Sequence, residues 1–369
     1  MASSRVYYTD LRATYKRNLL VKVVDLLEVM DLKRMIPSQG LVAIKMHFGE
    51  KGNIAYIRPN FIRQIVDYIK RLGGSPFLTD TNTLYAGTRG DSVSHLKTAL
   101  ENGFVYTVVN APVIIADGIR GGSFKEVKID KDIFSTAFLA KEIYASDTLI
   151  SVAHFKGHDV TGFGGTIKNL GMGCSSRKGK LEMHSGLSPK VKRKRCTGCG
   201  DCVEYCVHRA IYLEDKKAVI EPKRCVGCGE CIIICPNNAI NIRWNTDSSL
   251  FQKKIVEYAF AVLQSKKGRS AFMNFLIQIS PACDCPPFND APIVRDLGIM
   301  ASLDPVAIDQ ASVDMVNQQK ALDGSCVKVH RDKGSDKFRD IYPKIDWTIQ
   351  LDYAQEMGLG NRDYKLIKI

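Results

Sequence analysis

The spacing of apolar and polar positions divides most of the chain into alternating strands and helices. A short apolar run predicts a strand at 5–8. Leu19, Leu20, Val23, Val24, Leu27 and Met30 recur at helical spacing and predict a helix over 15–35. Leu41-Val-Ala-Ile-Lys-Met-His47 reads as a buried strand. Pro59 opens the next helix, whose stripe of Phe61, Ile62, Ile65, Val66 and Ile69 runs to Gly73-Gly74. A strand over 76–79 ends at Asp80, and a helix over 92–101 takes Asp91 as its N-cap. A strand over 113–116 ends at Asp117, a polar hairpin follows at 121–130, and a helix is expected over 134–145. A strand over 148–153 then ends at His154. Farther on the pattern predicts a helix over 248–264, a strand over 271–280, and a helix over 304–316 capped by Asp304 with Pro305 at its first position. Segments 345–357 and 364–369 close the chain.

Such alternation predicts an α/β fold with a mostly parallel sheet and flanking helices. Folds of this kind place ligand sites at the carboxyl ends of their strands. Four successive predicted strand ends carry His47, Asp80, Asp117 and His154. One such aspartate alone is more often a helix cap. Four polar ends together carry more weight.

Residues 196–235 break the alternation. They read Cys196-x-x-Cys199-x-x-Cys202-x-x-x-Cys206 and then Cys225-x-x-Cys228-x-x-Cys231-x-x-x-Cys235-Pro236, a constant offset of 29 residues. Ala210-Ile211 recurs as Ala239-Ile240 at the same offset, so the unit is duplicated. The spacing is that of a bacterial two-cluster ferredoxin, in which the fourth cysteine of each run completes the other cluster. It predicts one [4Fe–4S] cluster on Cys196, Cys199, Cys202 and Cys235, and a second on Cys225, Cys228, Cys231 and Cys206. Zinc is the alternative, but its sites usually join two separated pairs and need no third cysteine two residues on. Val207 stands where the second run has Pro236, which removes a turn-shaping residue and no ligand. The expected organisation is a small α+β ferredoxin-like domain over 190–243, inserted between 1–189 and 244–369, the two parts of one α/β domain.

Composition adjusts this picture in three ways. The chain has no run of 18 uncharged apolar residues, so no membrane insertion is expected, and residues 1–10 lack the apolar stretch of a secretory signal. Twelve cysteines, eight of them assigned to clusters, point to a reducing cytoplasm and to sensitivity to oxygen. The formal net charge of +13 overstates the basic character. Each cluster with its thiolates carries about −2. Five basic residues fall within 190–195, as a solvated linker or as a docking patch for an acidic redox partner protein. Nucleic acid ranks last, because aromatic residues are not interleaved with the basic ones.

Two further stretches carry candidate chemistry. Beyond His154 the chain runs Phe155-Lys156-Gly157-His158 and then Gly162-Phe-Gly164-Gly165-Thr-Ile-Lys168-Asn169. Imidazole titrates near neutrality, so His154 or His158 can ligate a metal or donate a proton. Lys156 and Lys168 can hold an anionic ligand, and the glycines let backbone N–H groups approach it. Neither a Walker A motif nor G-x-G-x-x-G is present, and a glycine-rich turn packed under the sheet is the plain alternative. Cys283-Asp284-Cys285 suits an additional metal or one redox-active thiol, and a reduced pair without a role is the alternative.

Several motifs in combination resemble the iron–sulfur centre proteins of domain of unknown function 362. They are Lys45-Met-His47-Phe-Gly-Glu50, Asp80-Thr-Asn82-Thr-Leu-Tyr85, Ala116-Asp117-Gly118, His154-Phe-Lys156-Gly-His158 and Gly164-Gly-Thr-Ile-Lys168-Asn169. Cys283-Asp284-Cys285, Leu303-Asp304-Pro305-Val-Ala-Ile-Asp309 and Gly358-Leu-Gly360 complete the set, which spans nearly the whole chain. The resemblance implies an α/β domain interrupted by a two-cluster ferredoxin module, and it implies no particular reaction. A weaker likeness to nickel-pincer lactate racemase, whose site also gathers histidines and lysines, rests on the fold alone.

Three functions fit. The first is an iron–sulfur oxidoreductase passing single electrons to or from a ligand or metal site at the strand ends, its small-molecule substrate unknown. Its candidate catalytic residues are His47, Glu50, Asp80, Asn82, His154, Lys156, His158 and Lys168, with Cys283 and Cys285 as candidate ligands of an extra metal. Asp80 or Glu50 would accept protons or ligate. The second is a plain electron carrier or docking module with no catalytic site. The third is a metal-, metallocofactor- or nucleic-acid-binding protein with structural clusters. Polar strand-end residues beyond what a carrier needs favour the first.

Overall fold

The structure, a computed structural model, describes residues 3–85, 87–185, 189–206, 208–225, 227–241 and 247–369. Val207 and the far boundary of the expected insert at 243 lie outside the described residues. The strands of the main sheet are β1 (Ser4–Asp10), β2 (Leu41–Lys45), β3 (Ser75–Asp80), β4 (Val113–Ile115), β5 (Thr148–His154), β6 (Ser270–Leu276), β7 (Gly298–Ser302) and β8 (Tyr364–Lys368). They lie in the order β8-β1-β7-β6-β5-β2-β3-β4. Among these strands β7 alone runs against the rest, so the sheet is mostly parallel, as expected.

The flanking helices are α1 (Leu19–Val29), α2 (Pro59–Arg71), α3 (Ser92–Glu101), α4 (Thr166–Gly171), α5 (Arg177–Ser185), α6 (Ser248–Lys266), α7 (Pro305–Asn317) and α8 (Thr348–Glu356). Side chains alternate across each strand, which builds two cores from one sheet. Val42 and Ile44 pack with Leu26 of α1 and Ile65 of α2, whereas Ala43 between them faces the core shared with Ile255 of α6 and Val313 of α7. Asp91 and Asp304 cap α3 and α7 through pairs of backbone amides, as their sequence positions predict.

Three expectations need correction. Helix α1 is shorter than 15–35, because the Asn18 side chain accepts the Leu20 and Val21 amides and starts it late, and Asp31 at φ 50° ends it early. Thr136–Ala140, expected to be helical, is a strand paired antiparallel with Phe124–Lys128, and only Lys141–Ala145 is helical. Buried Ala137 and Leu139 alternate there with half-buried Thr136 and Phe138, so the true period is two. The strand expected over 271–280 stops at Leu276, and Gln278 at φ 50° turns the chain away.

Strand order sets the position of the site. From β2 the chain steps outward to β3 and β4, then returns to place β5 on the other side of β2, with β6 beyond it. Adjacent crossovers therefore leave the sheet in opposite directions at β2 and β5. A crevice opens at the carboxyl ends of strands at such a reversal.

The cysteine segment folds as a pseudo-symmetric pair. Tyr212 pairs with Val219 and Ile211 with Ile220, and the same pairs recur across the repeat as Asn241 with Lys190 and Ile240 with Val191. The second of these hairpin-like pairings also brings the two ends of the segment together. Gly198 and Gly200 have φ of 75° and 91°, and their counterparts Gly227 and Gly229 have 71° and 73°. Each run thus needs glycine where the chain bends between its cysteines.

Candidate functional site

A cavity of about 560 Å³ occupies the crevice at the ends of β2, β3 and β5. His47, Glu50, Asp80, His154, Lys156, His158, Lys168, Cys283 and Cys285 all line it, although they come from four separate stretches of sequence. Asn82 is absent from the lining. It is fully buried, and its side chain donates to Asp117 Oδ1 (2.9 Å) and to the Gly118 carbonyl (2.8 Å). Asn82 and Asp117 therefore tie the ends of β3 and β4 together beneath the cavity.

One wall is an ionic network. Lys45 Nζ lies 2.9 Å from Asp80 Oδ1 and donates to Asn169 Oδ1 at 2.9 Å. Arg89 reaches Glu50 at 3.0 Å and Asp80 at 3.4 Å, and it also bonds the Tyr85 hydroxyl. Thr88 donates to Glu50 from its amide (2.8 Å) and from its hydroxyl. Burial alone would raise both carboxyls. The Arg89 charge and the Thr88 bonds hold Glu50 below its usual range, and the Lys45 charge, with that of Arg89, holds Asp80 far below it. Glu50 and Asp80 are thus counter-ions, with their oxygens engaged.

The opposite wall is organised by Asp284, which is 1% exposed. Its carboxylate contacts His154 Nδ1 at 2.9 and 3.0 Å and Lys156 Nζ at 2.9 Å. Burial pushes Asp284 up, but the His154 and Lys156 charges outweigh it and hold the carboxyl well below its ordinary value. His154 Nε2 faces the Ile277 carbonyl at 2.8 Å. Both ring nitrogens therefore face acceptors, and the doubly protonated ring satisfies both. Neither nitrogen is open to a metal, so His154 serves as a positioning residue in this geometry.

His47 and His158 differ from His154. The Gly49 amide donates to His47 Nδ1 at 2.9 Å, and the Val160 and Thr161 amides donate to His158 Nδ1 at 3.1 and 3.2 Å. Each Nδ1 is then an acceptor, and the proton of the neutral ring sits on Nε2. Burial first, then neighbouring cations, push both rings below their ordinary values and keep them neutral. His47 Nε2 is buried and points toward Cys285 outside strict hydrogen-bond geometry. A hydrogen bond between Cys283 and Cys285 pushes Cys283 up and Cys285 well down, with His47, Lys168 and Arg89 further favouring the Cys285 thiolate.

Helix α4 fixes the glycine-rich turn. The Thr166 and Ile167 amides donate to the two oxygens of Asp309 at 2.7 and 2.9 Å. A Cβ on Gly165 would stand 2.3 Å from Asp309 Oδ1, so only glycine allows this approach. Lys168 and Asn169 are thereby presented to the cavity from one short helix.

The eight cysteines of the repeat fall into two spatial sets. Cys196, Cys199, Cys202 and Cys235 ring one surface concavity together with Leu213, Ala218 and Ile240. Burial and then Cys196, Cys199 and Cys235 push Cys202 up to about 11. Cys228 and Cys231 are raised by burial and by their neighbours, which include Cys206 and Cys225. Among the described residues, no three His, Cys, Asp or Glu side chains converge to hold a single ion. The second set lies against the main sheet's loops. Leu84 and Leu181 pack in one apolar group with Cys202, Cys231 and Ile232, and Arg177 bonds Glu230 at 3.0 Å. Leu84 also lines the strand-end cavity.

The sequence places Lys45 and Asp284 in motifs but gives no role to them or to Arg89, the three residues that set the charge of these walls. A lysine inside the apolar run of β2 was a usable signal, since a buried ammonium needs a partner. Nothing in the loop sequence marks Arg89. No curated protein matches the chain. Among solved structures it is similar to the lactate racemase apoprotein from Thermoanaerobacterium thermosaccharolyticum, with 12% identity and a TM-score of 0.40 over 74% of this chain and 51% of that one. The chain spans about half the length of that protein, and so distant a likeness carries no functional argument. The family model described as Domain of unknown function (DUF362) matches residues 42–314, from β2 into α7 and across both cavity walls, and the chain belongs to that family.

Proposed function

We propose that the protein is an iron–sulfur redox protein that performs one-electron chemistry on a small molecule held in the strand-end cavity. In this reading residues 190–243 form a ferredoxin-like domain holding two [4Fe–4S] clusters. Cys196, Cys199, Cys202 and Cys235 would hold one, and Cys225, Cys228, Cys231 and Cys206 the other. Such clusters supply single-electron transfer when bound. The donor set suits them. Cys196, Cys206 and Cys235 accept backbone amides of Ala218, Ala210 and Ala239 at 3.3, 3.3 and 3.2 Å, the bonds that a thiolate ligand wants. Four cysteines around a concavity also suit a cubane, which takes one thiolate at each of four corners.

The observation that carries the reading is Leu84, which belongs to the apolar group that holds Cys202 and Cys231 and also lines the cavity. The same side chain thus borders both the cysteine segment and the candidate ligand site. At the far end Cys199 is exposed, and exposed residues 192–195 beside it are all basic, which supports docking of an acidic redox partner there.

Anaerobic isolation, iron and sulfide assay, and EPR after reduction test the proposal. About eight irons per chain with two interacting paramagnets are expected. Stoichiometric zinc in place of iron under strict anaerobiosis would overturn it.

A further inference from the structure

The corner of the cavity around Gly164 has more positive charge than its own carboxylates offset. A Cβ on Gly164 would stand 3.2 Å from Lys168 Cδ and 3.7 Å from Lys156 Cε, so the two lysine stems converge over this glycine. Converging ammonium groups repel unless an anion lies between them. The buried carboxylate at hand is Asp284, already shared by Lys156 and His154, while the largely exposed Asp159 lies 3.4 Å from His158 Nδ1. Lys168 has no ion-pair partner among the described residues. His158 adds an Nε2–H with no acceptor among the described residues, its ring fixed by the Val160 and Thr161 amides. Beside these donors the lining is apolar: Val160, Met172, Phe251, Pro286 and Pro287.

We infer that the cavity takes an organic monocarboxylate, with its carboxylate between Lys156, Lys168 and His158 Nε2 and an apolar body against Met172 and Phe251. A monoanion matches the one ammonium of this corner, that of Lys168, which no carboxylate among the described residues pairs, since Asp284 already pairs Lys156. The volume of about 560 Å³ lies within the ordinary range for small-molecule sites. The inference deepens the proposed function and rests on it for the cavity's role as the reacting site.

Isothermal titration calorimetry on the anaerobic holoprotein tests it, with octanoate, octanamide and octyl phosphate as probes. Octanoate should bind, and octanamide should bind at least about tenfold more weakly. Lys168→Met should weaken octanoate about tenfold and Lys168→Arg should restore it, with iron content and thermal midpoint held at the wild-type values. Equal binding of octanoate and octanamide overturns the inference, as does no binding of any probe up to about 10 mM. Tighter binding of octyl phosphate overturns the carboxylate assignment in favour of a phosphate ester. Octanoate affinity unchanged in Lys168→Met also overturns it, and if that variant does not fold, the wild-type comparison decides. Iron is assayed on the same samples. Octanoate binding without iron would sink the redox reading alone, and full iron with no octanoate would sink this inference alone.

Discussion

Asp284→Asn removes one charge and almost no volume from the best-connected point of the cavity wall. Asp284 faces two cations at 2.9 Å, His154 and Lys156. At an effective dielectric of about 20 each pair is worth about 6 kcal/mol before desolvation. Burying the three ions takes back several kcal/mol apiece, so the intact network contributes little net stability. Removing one partner is different, because two buried cations are left facing a neutral amide whose single oxygen replaces only one of the two carboxylate oxygens. The expected loss is about 3–5 kcal/mol. With a urea slope of about 3 kcal/mol/M, the unfolding midpoint falls by about 1–1.7 M. Lys156→Met in the same background removes one stranded charge and keeps the apolar stem, so the double variant should be about 1–3 kcal/mol more stable than additivity predicts. The assay is anaerobic urea unfolding near neutral pH, followed by circular dichroism at matched iron content. A midpoint within about 0.3 M of wild type, or purely additive effects, would refute the role given to Asp284.

Burial lowers both Lys180 and Lys266 to about 8 from an ordinary value of 10.5. The unfolded chain then binds more protons between pH 8 and 10.5, so stability should rise with pH across that window, by at most about 3 kcal/mol from Lys180. Lys180→Met should flatten the rise in urea midpoint, and a wild-type profile that falls there contradicts the argument. Cys235→Ser should leave about four irons; adding Cys196→Ser should remove no more, whereas adding Cys225→Ser should empty the protein. Iron loss in the opposite pattern would show that the fourth cysteines do not cross between runs. Gly157→Ala puts a Cβ 1.9 Å from the Pro281 carbonyl, which is backbone and cannot swing aside. It should cost about 1–3 kcal/mol through the loop that carries Asp284, and an unchanged thermal midpoint would count against that contact.

Elements with a strong period or a clear cap were legible in the sequence. Pro59, Asp91 and Asp304 each mark a helix start that the structure keeps. Tertiary neighbours decide the rest. Thr136–Ala140 contains good helix formers, yet Leu139 and Ala137 are buried by pairing with Phe124–Lys128 and by α6 behind them. Strand β7 has only five residues and no local partner. It exists because β1 and β6, distant in sequence, flank it on both sides. Strand order is also non-local, so the reversal between β2 and β5 that opens the cavity could not be read from periodicity.

For the site, sequence supplied residue types and the fold supplied valence. Glu50, Asp80 and His154 are ordinary candidates for acid–base work until their partners are counted. Arg89, Lys45 and Asp284 then leave them with no open atom for a ligand. Asn82 likewise belongs to the joint between β3 and β4. What stays open is a smaller set: two imidazole N–H groups whose tautomers are fixed by backbone amides, the Lys168 ammonium, and the Cys283–Cys285 pair. These groups come from the ends of β2 and β5, from α4 and from the 281–287 loop, so no window of sequence contains them together. All of them donate protons or favour negative charge except the thiolate. A wall of this kind is preorganised to hold an anion and to stabilise charge that develops on it. A bare electron carrier has no use for such a wall, because its partner docks on the surface and never enters the sheet. The buried charge of Asp284 and Asp80, costly to fold around, is best understood as the counterweight that keeps those donors in place while the cavity between them stays open.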